Sequence, residues 1–341
     1  MAMEILLRSF IFLLVFSFIH SVEAKCILQD ASPGMLMLPA DTFRIDADRE
    51  ADTTTPVKTY VTPNLGKSIK YVNCEHNLSK YGKEVIGLTG QDPATRIYKT
   101  NIPGIGVKFL YTNGAAWGNF PSTSVHKCID EGFDKPTELC ALVIPPQSLY
   151  KVEFYKTQER LALNNKEGDV VLEAGDRVYN WVESPSFSNY SLKLNIGAIK
   201  VVSTPVCNVS ESLNVDFNQV TGRTLTPSGI ERDLNFFVSC RTDYGTYSAT
   251  AAIVTDMPSA DAKYIQVRDA AGALNTLGIK IKDSHGNDML LNGKSTEVKN
   301  SNPDDTRATF NWKAILFPVS QGSRPTSGKF TAQAQIILNI N

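Results

Sequence analysis

Cys26, Cys74, Cys128, Cys140, Cys207 and Cys240 are the six cysteines of this 341-residue chain. None forms a C-x-x-C pair, so dithiol redox chemistry and a zinc ribbon both lack their motif. An even number of cysteines in an exported chain implies disulfides formed in an oxidising compartment. Sequential pairing, Cys26–Cys74, Cys128–Cys140 and Cys207–Cys240, keeps each bridge inside one stretch of chain. Catalytic patterns are missing: no G-x-S-x-G, H-E-x-x-H or phosphate-binding loop occurs. Acids and serines are plentiful, yet a nucleophilic triad also needs a buried base oriented by a carboxylate. The residue types left over, aromatics and polar groups in turn-rich segments, suit binding rather than bond-making.

The first 24 residues read as a secretory signal. Arg8 precedes an apolar run from Ser9 to Ile19, and Val22-Glu23-Ala24 has the form of a cleavage site. The run is too short for a spanning helix; an uncleaved anchor is the alternative. Loss of Glu4, Arg8 and Glu23 leaves 33 basic and 33 acidic residues in the chain from Lys25. With no net basic field, neither nucleic acid nor an anionic membrane is an expected partner.

The elements that must position any site are strands. Val107–Tyr111, Leu149–Tyr155 and Tyr190–Ile196 alternate or are rich in β-branched and aromatic residues, and turn signals separate them, among them Pro103-Gly104, Asn113-Gly114 and Asn292-Gly293. No long stretch keeps a helical period. Many short strands with frequent turns predict an all-β protein of two β-sandwich domains. A boundary is expected near Val202-Ser203-Thr204-Pro205, dividing the chain into residues 25–203 and 204–341. At the chain end Phe330, Ala332, Ala334, Ile336, Leu338 and Ile340 are all apolar and the residues between them mostly polar. That is the period of a half-buried strand reaching the last residues, where chain ends ordinarily fray.

From Cys207 the order of features is specific: Leu213-Asn-Val215-Asp-Phe217, Phe236-Phe237-Val238-Ser239-Cys240, Leu277-Gly278-Ile279 running to Asp283, Phe310-Asn311-Trp312, and Gly328-Lys-Phe330-Thr-Ala332-Gln-Ala334. This resembles the pilin domain of chaperone–usher fimbriae across residues 205–341. One departure is Ile340, where the family usually carries Tyr second from the end. The resemblance implies an incomplete immunoglobulin-like sandwich that lacks its last strand. The final strand then borders an open groove, filled first by a periplasmic chaperone and later by the donor strand of the next subunit. It further implies an outer-membrane usher as assembly partner. A polymerising pilin has a short donor segment before its first cysteine; here roughly 180 residues precede Cys207 instead. Within the family that arrangement is a two-domain tip adhesin, exported through the periplasm to the cell surface.

Residues 25–203 are then expected to form a lectin-like adhesin domain that binds a host glycan or a matrix protein such as collagen. Ile86-Gly-Leu-Thr-Gly90 and Thr100-Asn-Ile-Pro-Gly104-Ile-Gly106-Val107 resemble the corresponding region of fimbrial adhesin domains, where glycines lead into a central strand. Sugar sites combine aromatic faces with polar loop groups, which nominates Arg96, Tyr98, Trp117, Asn119 and His126. Asn113 and the acids Asp130, Glu131 and Asp134 of the Cys128–Cys140 loop are further candidates. Trp117 has two readings, a binding platform or a plug on the sandwich end; Arg96 and Tyr98 share one segment and can face one side, or be a surface charge and a core ring. Trp181 reads as core. One resembling subgroup of adhesins binds zinc through three histidines, two of them as His-x-His. Here Cys74-Glu75-His76 stands at that pattern and only His76 and His126 lie in the domain, so no metal and no cofactor is expected. A minor adaptor or initiator subunit without a receptor is the alternative function; a secreted β-rich enzyme is the third reading.

Overall fold

The computed structural model describes residues 25–29, 32–128, 138–210, 213–274, 276–302, 307–320 and 325–341. The expected signal segment 1–24 and the loop acids Asp130, Glu131 and Asp134 lie outside these residues. Among those described, regular structure is strand apart from one 3₁₀ turn, Phe187–Asn189. The chain is all-β.

Alternation decides which faces meet. In Gly34–Leu38 the residues are in turn buried and exposed, so Leu36 and Leu38 point inward while Met35 and Met37 face solvent. Before Pro205, two five-stranded and two three-stranded sheets surround one hydrophobic cluster that includes Phe43, Val107, Phe109, Tyr150, Phe154 and Leu194. From Val206 onward, a five-stranded and a three-stranded sheet enclose a second cluster around Phe236, Ile253, Phe310 and Trp312. Tyr190–Ile196 and Ile199–Thr204 follow each other with a two-residue break, each pairing in parallel with one of the consecutive strands Gly34–Leu38 and Asp41–Asp46. Only Pro205 separates Ile199–Thr204 from Val206–Val209.

The cysteines pair in sequential order, Cys26–Cys74, Cys128–Cys140 and Cys207–Cys240. Two glycines serve close approach. A Cβ on Gly106 would lie 2.2 Å from Ile97 Cγ2, and one on Gly82 would lie 2.5 Å from the Trp181 ring. Only glycine lets Trp181 settle to 2% exposure against the neighbouring strand.

The junction around Pro205 is polar and buried. Asp243, 2% exposed, accepts from Leu161 N at 2.9 Å and from Ser203 Oγ at 2.6 Å, and its backbone carbonyl accepts from Leu163 N. Tyr244 packs against the first cluster, and its hydroxyl accepts from Ser203 N. Arg241 donates to the Glu159 carbonyl. Bonds to a buried carboxylate are each worth about 1.5–3 kcal/mol. Asp243→Ala is therefore expected to loosen the joint by about 3 kcal/mol or more, read as faster limited proteolysis at residues 203–206.

Candidate functional site

The strand Gln335–Ile340 pairs antiparallel with Ser248–Val254 and, among the described residues, with nothing on its other edge. Ile336, Leu338 and Ile340 turn toward the second cluster; Ile337 stays exposed. The strand starts later than its sequence period suggests. Phe330 to Ala334 runs extended without a ladder, tied by the Arg268–Thr331 bridge and by Thr255 Oγ1 donating to the Gln333 carbonyl at 2.7 Å. Alternation reports which side chains face inward, whereas a ladder needs a partner strand in continuous register, and among the described residues Phe330–Ala334 has only the single Arg268–Thr331 bridge.

Across from this segment, Val206–Val209 pairs, among the described residues, only with Ile230–Arg241, and residues 213–217 form no ladder. Between the two walls lies a groove of about 520 Å³. Val209, Val215 and Phe217 line one wall, Phe330, Ala332, Ala334, Ile336 and Leu338 the other, and Phe236, Ile253, Ile279 and Ile281 form the floor. Ile340 packs on the same cluster without lining the groove. The 209–217 wall was missed as a site in the sequence, although Val209, Leu213, Val215 and Phe217 share the odd-numbered period that would have marked it. Apolar floor plus two unpaired strand edges is the geometry that accepts one further strand: backbone groups on both rims can bond to it and alternate side chains can fill the floor.

The five nominated ligand residues stand in different settings. Tyr98 is 6% exposed with its ring 6.5 Å from Phe109, so it belongs to the core and leaves the surface set. The shared-face reading of Arg96 and Tyr98 is thereby corrected. Arg96 has a left-handed φ of 64°, and its guanidinium reaches the Pro121 carbonyl. That twist breaks the simple alternation on which the shared face depended. Trp117 is 42% exposed, which excludes the plug; the Lys151 ammonium stands 4.6 Å from its ring centroid. Asn119 is exposed opposite Leu110. His126 sits against Cys140, Nε2 to Sγ 3.0 Å, and burial pushes its imidazole below the ordinary value. Arg96 contacts Pro121 at one end of Ser122–Val125 and His126 follows its other end, about 13 Å along a four-residue strand.

His126, Cys128 and Cys140 place their ligand atoms within 4.8 Å of one another. Both sulfurs are joined in a disulfide, so the trio is not a thiolate site. His76 Nδ1 accepts from Cys128 N at 2.9 Å and is spoken for by the backbone.

A second concavity was not anticipated from sequence. Loops 75–80 and 183–190, with Cys26 and Tyr71, enclose a cleft of about 750 Å³. It opens beside Tyr190, the start of the two successive strands that lead to Thr204. At about 3.3 Å per residue that places it on the order of 40 Å from the Pro205 junction. Glu183 at its edge holds a left-handed φ of 72°; its N–H donates to the Lys80 carbonyl and its Oε1 accepts from Cys26 N at 3.0 Å.

A family model described as Fimbrial protein matches residues 192–341. No curated protein sequence matches the chain. Among solved structures it is similar to the receptor-binding domain of the plasmid-borne adhesin MrkD1P of Klebsiella pneumoniae, at 20% identity and TM-score 0.35, over 52% of this chain and 95% of that one. It is also similar to the CupB6 tip adhesin of Pseudomonas aeruginosa, at 11% identity and TM-score 0.37, over 92% of both chains. The CsuC–CsuE chaperone–tip subunit complex of Acinetobacter baumannii aligns at 8% identity and TM-score 0.42, over 90% of this chain and 99% of that one. These three are likenesses of fold alone. The match over residues 192–341 spans the strand-accepting groove and both of its walls, and this part of the chain is similar to the fimbrial protein family.

Proposed function

We propose that the chain is the tip adhesin of a chaperone–usher fimbria, attaching a bacterium to host cells and carrying no catalytic role. The observation that carries this reading is the open groove between Val209–Phe217 and Phe330–Leu338, together with the folded sheets that precede Cys207. Residues 204–341 serve as the pilin domain. Their groove receives first a strand of the periplasmic chaperone and then the donor strand of the next subunit at the outer-membrane usher. Residues 25–203, released from the signal 1–24, serve as the receptor-binding domain, and a host glycan is the receptor class. In this reading the folded sheets before Cys207 occupy the place where a polymerising pilin carries its donor segment, and the chain sits at the fibre end.

The test is attachment. Beads coated with the full chain from Lys25, its groove filled by a strand peptide, are expected to bind host epithelial cells saturably, and soluble chain is expected to compete. Absence of binding to cells and to matrix proteins alike would reduce the chain to a structural minor subunit.

A further inference from the structure

We propose that the cleft bounded by Tyr71, Glu75, Glu183, Asn189 and Tyr190 is the receptor pocket and that it takes an uncharged, hydroxyl-rich sugar unit; the assignment rests on the adhesin reading above. Tyr71 is 7% exposed and lines the cleft, yet its hydroxyl has no hydrogen-bond partner among the described residues. Burial alone pushes that phenol up to about 12. A phenol hydroxyl that faces the cleft and is bonded to no described protein group is open to exchange its water for a ligand hydroxyl. The volume of about 750 Å³ is within the range of small-molecule sites and holds more than one sugar ring.

The remaining polar groups have sugar-binding character. Asn189 Nδ2 donates to Ser184 Oγ at 2.7 Å, which fixes the amide in one orientation. Tyr190 stacks on Phe187 at 5.5 Å and 21°, so its ring is held rigid at the rim. Glu183 lines the cleft from a left-handed backbone that a non-glycine residue rarely adopts, and strain of that kind gathers at binding sites. Glu75 and Glu183 are half-buried, whereas the lysines at the cleft, Lys25 and Lys80, are exposed. The interior is therefore the acidic part: Glu183, whose Oε1 holds Cys26 N, offers its other carboxylate oxygen to a sugar hydroxyl, and the two acids repel a sugar acid.

The test uses the full chain with its groove filled, probed on an array of neutral, sialylated and sulfated oligosaccharides, followed by titration of the best neutral ligand. Tyr71→Phe removes one oxygen and no packing; it is expected to weaken binding at least tenfold with an unchanged melting temperature. Glu183→Gly relieves the left-handed strain and is expected to lose binding while staying folded. Undiminished affinity in both variants, or selection of sialylated or sulfated glycans, overturns the assignment. Binding to cells or matrix proteins with no glycan bound overturns the pocket and leaves the adhesin reading standing. Binding to none of these overturns both.

Discussion

Exported without a groove-filling strand, the full chain from Lys25 is expected to aggregate or be degraded, and a donor strand fused to it is expected to restore a soluble, cooperatively melting protein. The reason is the unfinished second cluster. Ile336 and Leu338 are only half-buried, Phe330 likewise, and Val209 is 56% exposed. Both rims, Gln335–Ile340 and Val206–Val209, have one unpaired edge among the described residues. Open edges beside apolar surface pair with other copies. A strand placing four or five aliphatic side chains on the Phe236–Ile253–Ile279–Ile281 floor gains about 1.5–3 kcal/mol for each, on the order of 10 kcal/mol in all. Ordering its backbone costs about 1–2 kcal/mol per residue, offset in part by hydrogen bonds on two rims. The measurement is soluble periplasmic yield and thermal unfolding with and without the strand. Monomeric, soluble chain with the same melting temperature in both cases would remove the groove argument.

The second large effect is expected at Glu297. Its side chain, with the residue 4% exposed, accepts from Trp312 Nε1 at 2.6 Å and from Ser284 N and Oγ, and Lys299 Nζ lies 2.9 Å away. Glu297→Ala leaves the buried indole N–H unpaired and the lysine without its anion, a loss of about 3–5 kcal/mol. In a domain of this size that lowers the melting temperature by roughly 10–20 °C. Desolvation raises this carboxyl, but Lys299, Ser284 and Trp312 together outweigh it and hold it below the ordinary 4.5. A folded value depressed below the unfolded one stabilises above about pH 4.5, and the stabilisation is lost as pH falls through the folded value. Glu297→Gln should keep the indole bond and flatten that acid slope. Chemical denaturation at pH 7 and pH 3.5, with the groove filled, reads both effects; equal slopes in the parent and the Gln variant would mean that Glu297 is not the group responsible.

The sequence by itself determined what is local. Strand Tyr190–Ile196 has the bounds its period predicts, Trp181 is core as read, and Phe330 to Ile340 is apolar at every second residue because strand geometry admits no other way to face a core. The order Cys207 to Ala334 carried the domain family for the same reason: spacing along one chain survives without coordinates. What only the tertiary structure decided is convergence. Arg96, Tyr98 and His126 are candidates alike on paper because loops in a sequence have no direction, but Tyr98 is core, and Arg96 reaches Pro121 at one end of Ser122–Val125 while His126 follows the other. Tyr71 and Glu183, more than a hundred residues apart, share one cleft because Cys26 bonds to both their surroundings, by its disulfide to Cys74 and by its N–H to Glu183. Nor could period alone show that Val209–Phe217 faces Phe330–Leu338 across a gap: alternation says which side chains turn inward, and only the packed sheets reveal that one strand's width between them is open.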